Sequence, residues 1–152
     1  MTSPVVEVKA FRDLSLEELY EVMVLRNRVF VVGQKITAEP EVDGLDRECE
    51  HALMWLEEKL VGTARLFTGE EPVKVGRVAV DTELQRQGLG TALMRGVQRH
   101  LGPRRAALHA QAHLEEWYRR LGWKRVGESF EEAEIPHVKM VWGEEFETGN
   151  RS

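Results

Sequence analysis

The chain has 152 residues, 42% of them hydrophobic and 31% charged, with a formal net charge of -5. That length suits one domain with a substantial core, and the composition excludes a disordered chain. There is no run of five or six like charges, no apolar stretch near the roughly 20 residues of a membrane span, and a single cysteine, Cys49. These features argue against a nucleic-acid-binding tail, a spanning helix, an internal disulfide and a cysteine-based metal site.

"VVEVKAF" (5–11) alternates weakly and predicts a strand. In "SLEELYEVMVLRNRVFV" (15–31), Ser15 and Glu18 have capping-box spacing, and Leu16, Leu19, Tyr20, Met23 and Phe30 recur at helical spacing. An amphipathic helix is expected there. "GQKITAEPEVDGLDRE" (33–48) has no sustained period and reads as an exposed loop with at most one helical turn. Loops of that length in compact domains are usually functional or mobile.

"HALMWLEE" (51–58) and "LVGTARLFT" (60–68) predict two strands joined by a tight turn near Lys59. In "VKVGRVAVD" (73–81) the apolar positions switch from odd to even, which predicts a β-bulge between Val75 and Val78, with Gly76 taking the unusual dihedrals. From 88 to 101, Leu89, Leu93, Val97 and Leu101 mark a helix stopped by Gly102-Pro103. A strand (105–111), a short helix (113–122) closed by Gly122, and strands in "WKRVGES" and "HVKMVW" follow. Residues 1–143 are expected to form one domain and 144–152 a polar tail.

Gly88 and Gly90 at a helix entrance need a reason, because glycine in a helix costs roughly 1 kcal/mol relative to alanine. The first turn of a helix offers amide N–H groups without partners, so glycine there suits a phosphate, and Arg86 would add a full charge. Tight packing against the sheet is the other explanation. The Gly-Lys-Ser/Thr ending of a nucleotide-binding P-loop and the Gly-x-Gly-x-x-Gly dinucleotide fingerprint are both absent.

"QRQGLG" (85–90) resembles the Gln/Arg-x-x-Gly-x-Gly/Ala signature of the GNAT superfamily of N-acetyltransferases. The ElaA-like branch is resembled more widely, through "LRNRVFVVGQ" (25–34), "EVDGLDRECEHAL" (41–53), "GRVAV" (76–80), "AQAHLEEWYRRLGW" (110–123) and "IPHVKM" (135–140). The resemblance implies an α/β (α+β) fold: a mixed, mostly antiparallel sheet with helices on both faces and a splayed, V-shaped cleft. It also implies direct acetyl transfer from acetyl-coenzyme A to a primary amine of a small molecule or peptide, without a metal.

On the same resemblance Gln85, Arg86, Gln87, Gly88, Leu89, Gly90 and Thr91 hold the coenzyme diphosphate, while the backbone of Val78, Ala79 and Val80 holds the pantetheine arm. Tyr118, in "YRRLGW", is the expected proton donor to the departing thiolate. For the base, His51 is the first choice, with Glu48, Glu50, His109, His113 and His137 as alternatives, or a water relay. Arg26, Gln34 and His137 are expected to line the acceptor pocket, and Asp43 and Asp46 either to hold a cationic acceptor or to stabilise turns.

The expected setting is the cytoplasm, with no nucleic-acid or membrane partner; the resemblance allows a homodimer. A non-catalytic acetyl-coenzyme A sensor or interaction module is the alternative from another class. Acyl transfer in the manner of the homoserine-lactone synthases ranks below both.

Overall fold

The computed structural model describes residues 3–84 and 87–143. Its elements are β1 (Val5–Ala10), α1 (Leu16–Arg26), β2 (Glu50–Leu56), β3 (Lys59–Phe67), β4 (Val73–Val80), α2 (Leu89–Leu101), β5 (Ala106–Gln111), α3 (Glu115–Arg120), β6 (Lys124–Glu132) and β7 (Ile135–Trp142). The strands form a seven-stranded sheet in the order β1-β2-β3-β4-β5-β7-β6. Among the described residues only β4 and β5 pair in parallel.

One face of the sheet is covered by α2 and α3, whose Leu93, Met94, Val97 and Tyr118 join the main core. On the other face Val22, Leu25 and Val29 of the first helical segment pack on Leu53, Leu60 and Ala79. Helices therefore lie on both faces. Burying each such side chain stabilises the fold by about 1.5–3 kcal/mol.

The capping box forms: Ser15 Oγ accepts from the Glu18 amide at 3.0 Å, and the Ser15 amide donates to Glu18 Oε1 at 2.9 Å. The buried stripe of α1, however, is not the expected one. Leu16 and Tyr20 are 88% and 67% exposed, while Val22, Leu25, Arg26 and Val29 are buried. The helix packs through its second half, so an apolar stripe that includes its first turns has no sheet beneath it. Past Arg26 the helix widens into a π-helical stretch over Asn27–Gly33, closed by the Gln34 amide on the Val29 carbonyl at 3.0 Å. Such widened turns often accompany functional sites.

The expected bulge is present, but a different residue carries its strain. Thr63 lies opposite Ala79 and Arg65 opposite Gly76, so two steps along β3 match three along β4. The residue with left-handed φ is Arg77, at 50°, and not Gly76. Tertiary ion pairs described below hold Arg77 in that conformation. The parallel ladder between β4 and β5 pairs Val73 with Ala106, Lys74 with Ala107 and Val75 with Leu108, and then stops. From Gly76 to Ala79 the edge of β4 has no β5 residue opposite it. The bulge and the parting of the strands coincide, and together they open the cleft.

Candidate active site

The polypeptide enters the cleft region through Asp81, which is fully buried. Its amide donates to the Val61 carbonyl at 2.8 Å, and its Oδ1 accepts from the Glu83 amide at 2.9 Å. Arg28 and Lys59 each reach its Oδ2 at 3.5 Å. Asp81 thus fixes the end of β4 and the direction of the following loop. Sequence reasoning passed over this residue, although a carboxylate directly after a strand of β-branched residues is a signal for a turn. Gln85 and Arg86 lie outside the described residues.

Gly88 and Gly90 serve separate needs. Gly88 has φ of 77°, in the left-handed region, and a Cβ there would meet nothing within 4 Å. Its carbonyl accepts the first helical bond, from the Ala92 amide at 3.1 Å, which leaves the amides of Leu89, Gly90 and Thr91 without an acceptor inside the helix. At Gly90 a Cβ would lie 3.2 Å from Trp117 Cζ2, so α2 and α3 approach closely there. Thr91 Oγ1 accepts from Trp117 Nε1 at 3.3 Å in the same contact. The packing explanation holds for Gly90, and the exposed, left-handed Gly88 fits an anion cradle.

Tyr118 is buried, with its ring edge-on to Trp117 and Trp123 at centroid distances of 4.8 and 6.2 Å. Burial pushes its phenol above the ordinary tyrosine range. The group therefore stays protonated at neutral pH, as a proton donor must.

On the opposite side of the cleft, Gln34 Oε1 accepts from Gln111 Nε2 at 2.8 Å, which ties the end of the π-helical stretch to the last residue of β5. Gln111 lies opposite His137 in β7, and His137 opposite Phe130 in β6, so the three share one face of the sheet. Two residues further along β6, Glu132 places Oε1 2.8 Å from His109 Nδ1 and Oε2 4.0 Å from His137 Nε2. The structure thus brings the expected Gln34 and His137 together, and adds Gln111, Phe130 and Glu132. Only strand pairing assembles that group, so no local motif announced it.

Arg26 and His51 belong elsewhere. Arg26, expected in the acceptor pocket, is 1% exposed. Its Nε donates to Glu41 Oε2 at 2.8 Å, its Nη1 to Asp46 Oδ1 at 2.7 Å and its Nη2 to the Glu41 carbonyl at 3.1 Å. With its donors engaged under the 41–46 loop, it holds that loop in place. Arg65 extends the network to Asp46 at 3.1 Å and Asp43 at 2.7 Å, and Arg77 reaches Glu41 at 2.9 Å. The cations that Asp43 and Asp46 hold are the protein's own. Bonding to Arg65 keeps Asp43 well below the usual carboxylate range; for Asp46, burial alone would act upward, but Arg26 and Arg65 bring it below its ordinary value.

His51 is fully buried beside this network, with Nε2 2.9 Å from the Asp46 carbonyl. A carbonyl only accepts, so Nε2 carries the proton. Burial lowers its pKa. Having no exposed surface, His51 is not a group that an incoming amine touches in this conformation. Burial likewise pushes the Cys49 thiol up to about 11, which suits an inert thiol.

A seven-stranded sheet parted at a bulge, with a glycine-led helix beside the opening, is the arrangement expected of a coenzyme A-dependent acyltransferase. The acetyltransferase (GNAT) domain profile matches residues 13–143, and the chain belongs to that family. A UPF0039 protein of Schizosaccharomyces pombe is 37% identical over 87% of this chain and 92% of its own length. Protein ElaA of Escherichia coli is 36% identical over 85% and 90%, which places the chain in the ElaA-like branch.

Among solved structures, an acyl-CoA N-acyltransferase from Pseudomonas aeruginosa superposes with a TM-score of 0.82 at 37% identity, covering 93% of this chain and 100% of that one. Escherichia coli ElaA superposes with a TM-score of 0.82 at 32% identity, covering 92% and 99%. The chain is thus an acyltransferase of the kind that uses an acyl-coenzyme A cosubstrate. The AHL synthase LasI, at 16% identity and a TM-score of 0.74, shares the fold alone. No helix among the described residues is long and apolar enough to cross a membrane.

Proposed function

We propose that the protein transfers an acetyl group from acetyl-coenzyme A directly to a primary amine of a small molecule or peptide. The observation that carries this reading is the parting of β4 and β5 after Val75 and Leu108, directly at the bulge. A thioester arm laid there meets the Val78–Val80 segment, and its diphosphate meets the amides of Leu89, Gly90 and Thr91 at the start of α2. Such charge-assisted hydrogen bonds contribute about 1.5–3 kcal/mol each, enough to offset the conformational cost of Gly88. Arg86 and Gln85 would complete the cradle on the family pattern.

Tyr118 supplies the proton that the departing thiolate needs on the family pattern of "YRRLGW"; its phenol is protonated at neutral pH, and burial, by raising its pKa, makes it a weaker acid than an exposed tyrosine. An amide N–H along β4 polarises the thioester carbonyl, an interaction that contributes a few kcal/mol when preorganised.

The test is calorimetric titration with coenzyme A and acetyl-coenzyme A, followed by thiol-release assays with putrescine, lysine, kanamycin and a peptide bearing a free N-terminus. Binding with release on at least one amine is expected. Binding without release on any amine supports the coenzyme-sensing module instead. No heat of association with either coenzyme overturns both readings.

A further inference from the structure

Building on the acetyltransferase reading above, we propose that His137 Nε2 is the base that takes the proton of the attacking amine, and that Glu132 receives the acceptor as its ammonium ion.

His137 sits beside the cleft mouth. Its partner Gln111 is the last residue of β5, three positions past the point where β4 and β5 part. Its tautomer is fixed by the backbone: Nδ1 lies 2.7 Å from the Ile135 carbonyl, so Nδ1 carries the proton and the Nε2 lone pair stays bare. The Phe130 ring lies near parallel to the imidazole, 26° between planes at 6.2 Å, and holds its orientation. The Nε2 atom makes no hydrogen bond to any described residue.

Glu132 Oε2 is 4.0 Å from that nitrogen, too long for a hydrogen bond between them, and an ammonium nitrogen about 2.8 Å from each could donate one N–H to either atom. The other carboxylate oxygen is held by His109 Nδ1, so the group is aimed. His137 keeps 9% of its side-chain surface open and Glu132 42%, whereas His51 has none. The charged or titratable groups facing His137 are Glu132 from β6, His109 from β5, and Lys139 two residues along β7 on the same face.

The transfer then balances. The ammonium docks on Glu132 and gives one proton to His137 Nε2. The amine nitrogen forms the N–C bond to the acetyl carbon as the C–S bond breaks. Tyr118 gives its phenolic proton to the departing thiolate. The proton on His137 leaves to solvent past Glu132, and the proton left on the new amide nitrogen's cationic precursor follows the same route, while Tyr118 is reprotonated from solvent.

Three measurements test this. In long-range proton–nitrogen spectra of the chain labelled with 15N-histidine, neutral His137 is expected as the Nδ1–H tautomer; the Nε2–H tautomer overturns the assignment without any activity measurement. His137→Asn keeps a donor for the Ile135 carbonyl and removes Nε2. With the best amine of the panel above, kcat/KM at pH 7 is expected to fall about a hundredfold or more. The deficit should shrink as pH nears the amine's own pKa of roughly 10, where free base is present in solution. Coenzyme affinity should stay unchanged.

A deficit constant across pH marks a structural residue and overturns the proposal, as does unchanged activity. Glu132→Gln is expected to raise the amine KM about fivefold at pH 7 and leave coenzyme affinity alone; an unaltered amine KM removes the docking role. A wild-type chain that turns over while His137→Asn matches it at every pH defeats the base assignment alone. A wild-type chain that releases no thiol with any amine defeats the acetyltransferase reading and the base with it.

Discussion

The ion network under the 41–46 loop and the polar row at the end of β5 are both dense in charged and polar side chains, and they differ in burial and in how closely opposite charges are paired. In the network, Arg26 and Arg65 lie buried against Glu41, Asp43 and Asp46, with contacts of 2.7–3.1 Å. In the row, His137 Nε2 stands 4.0 Å from Glu132 and Gln111 keeps an exposed hydrogen bond to Gln34. A buried network of paired charges resists change and holds shape, although Arg65 Nε, Arg77 Nε and His51 Nδ1 have no hydrogen-bond partner among the described residues. The more open row has capacity that a ligand can reach. Charge density alone does not separate the two, which is why Arg26 was expected in the acceptor pocket and Asp43 and Asp46 were left between an acceptor and a turn role, the latter met at Asp43 by the Leu45 amide at 3.0 Å.

The largest expected effect breaks the buried side. Arg65→Ala takes from Asp43 its 2.7 Å partner and leaves Asp46 with Arg26 alone, and removing one member of such a buried group typically costs about 3–5 kcal/mol. Urea unfolding of Gln111→Ala, by contrast, should stay within roughly 0.5 kcal/mol of wild type, because its hydrogen bond is exposed. Equal destabilisation of the two variants would show that the row is as structural as the network.

Next is Tyr118→Phe, which sharpens the division within the cleft. Turnover should fall roughly ten- to a thousand-fold, with coenzyme affinity nearly intact. The rings of Trp117 and Trp123 still pack on phenylalanine, so the thermal midpoint should hold. A loss of coenzyme binding of the same size would recast Tyr118 as a wall of the cleft rather than its acid.

A smaller change targets the cradle. Gly88→Ala meets no steric contact within 4 Å but must adopt φ of 77°. That conformation costs a residue with a side chain roughly 1–2 kcal/mol. Because the turn has this conformation without ligand, the cost falls on the stability of the folded chain, read as a lower urea midpoint, and Kd for coenzyme A weakens only as far as the free loop relaxes out of it. Unchanged affinity with lowered stability would mean that the turn is preformed before the coenzyme binds, and unchanged stability would mean that the left-handed conformation is not required of the folded chain.

Most of the fold was legible in the sequence where the signal is local. Ser15 and Glu18 marked the start of α1, the phase change at Val75–Val78 marked the bulge, and Gly102-Pro103 marked the end of α2, because each depends on residues a few positions apart. The buried face of α1 was not legible: two apolar stripes adjoin, and only the sheet beneath decides between them. Arg77 in place of Gly76 at the bulge was missed for the same kind of reason, since its ion pairs come from a loop more than thirty residues upstream. The site divided likewise. Tyr118 and the glycine loop sit in short motifs, whereas the row of Gln111, His137 and Phe130 exists only once β5, β7 and β6 are paired.

The finest test of the comparison is the pH dependence of stability, because it titrates the buried side. Burial lowers the pKa of His51 in the folded state, while in the unfolded chain it takes up a proton near about 6.5. Below that pH the unfolded state binds more protons than the native one, so stability falls as pH falls, by up to about 1.4 kcal/mol per pH unit for one proton. Asp43 and Asp46 are also lowered in the folded state, but their unfolded value is near about 3.9, so the stability they contribute is intact above about pH 4 and is lost only below it. Two stages should therefore separate: a shallow decline beginning below about pH 6.5 and a steep one below about pH 4. His51→Gln keeps a donor for the Asp46 carbonyl and cannot titrate. Its urea midpoint should stay level between pH 7.5 and 5.5, while the wild-type midpoint drops. A variant that declines in parallel with wild type would assign the first stage to another group and leave His51 as packing alone.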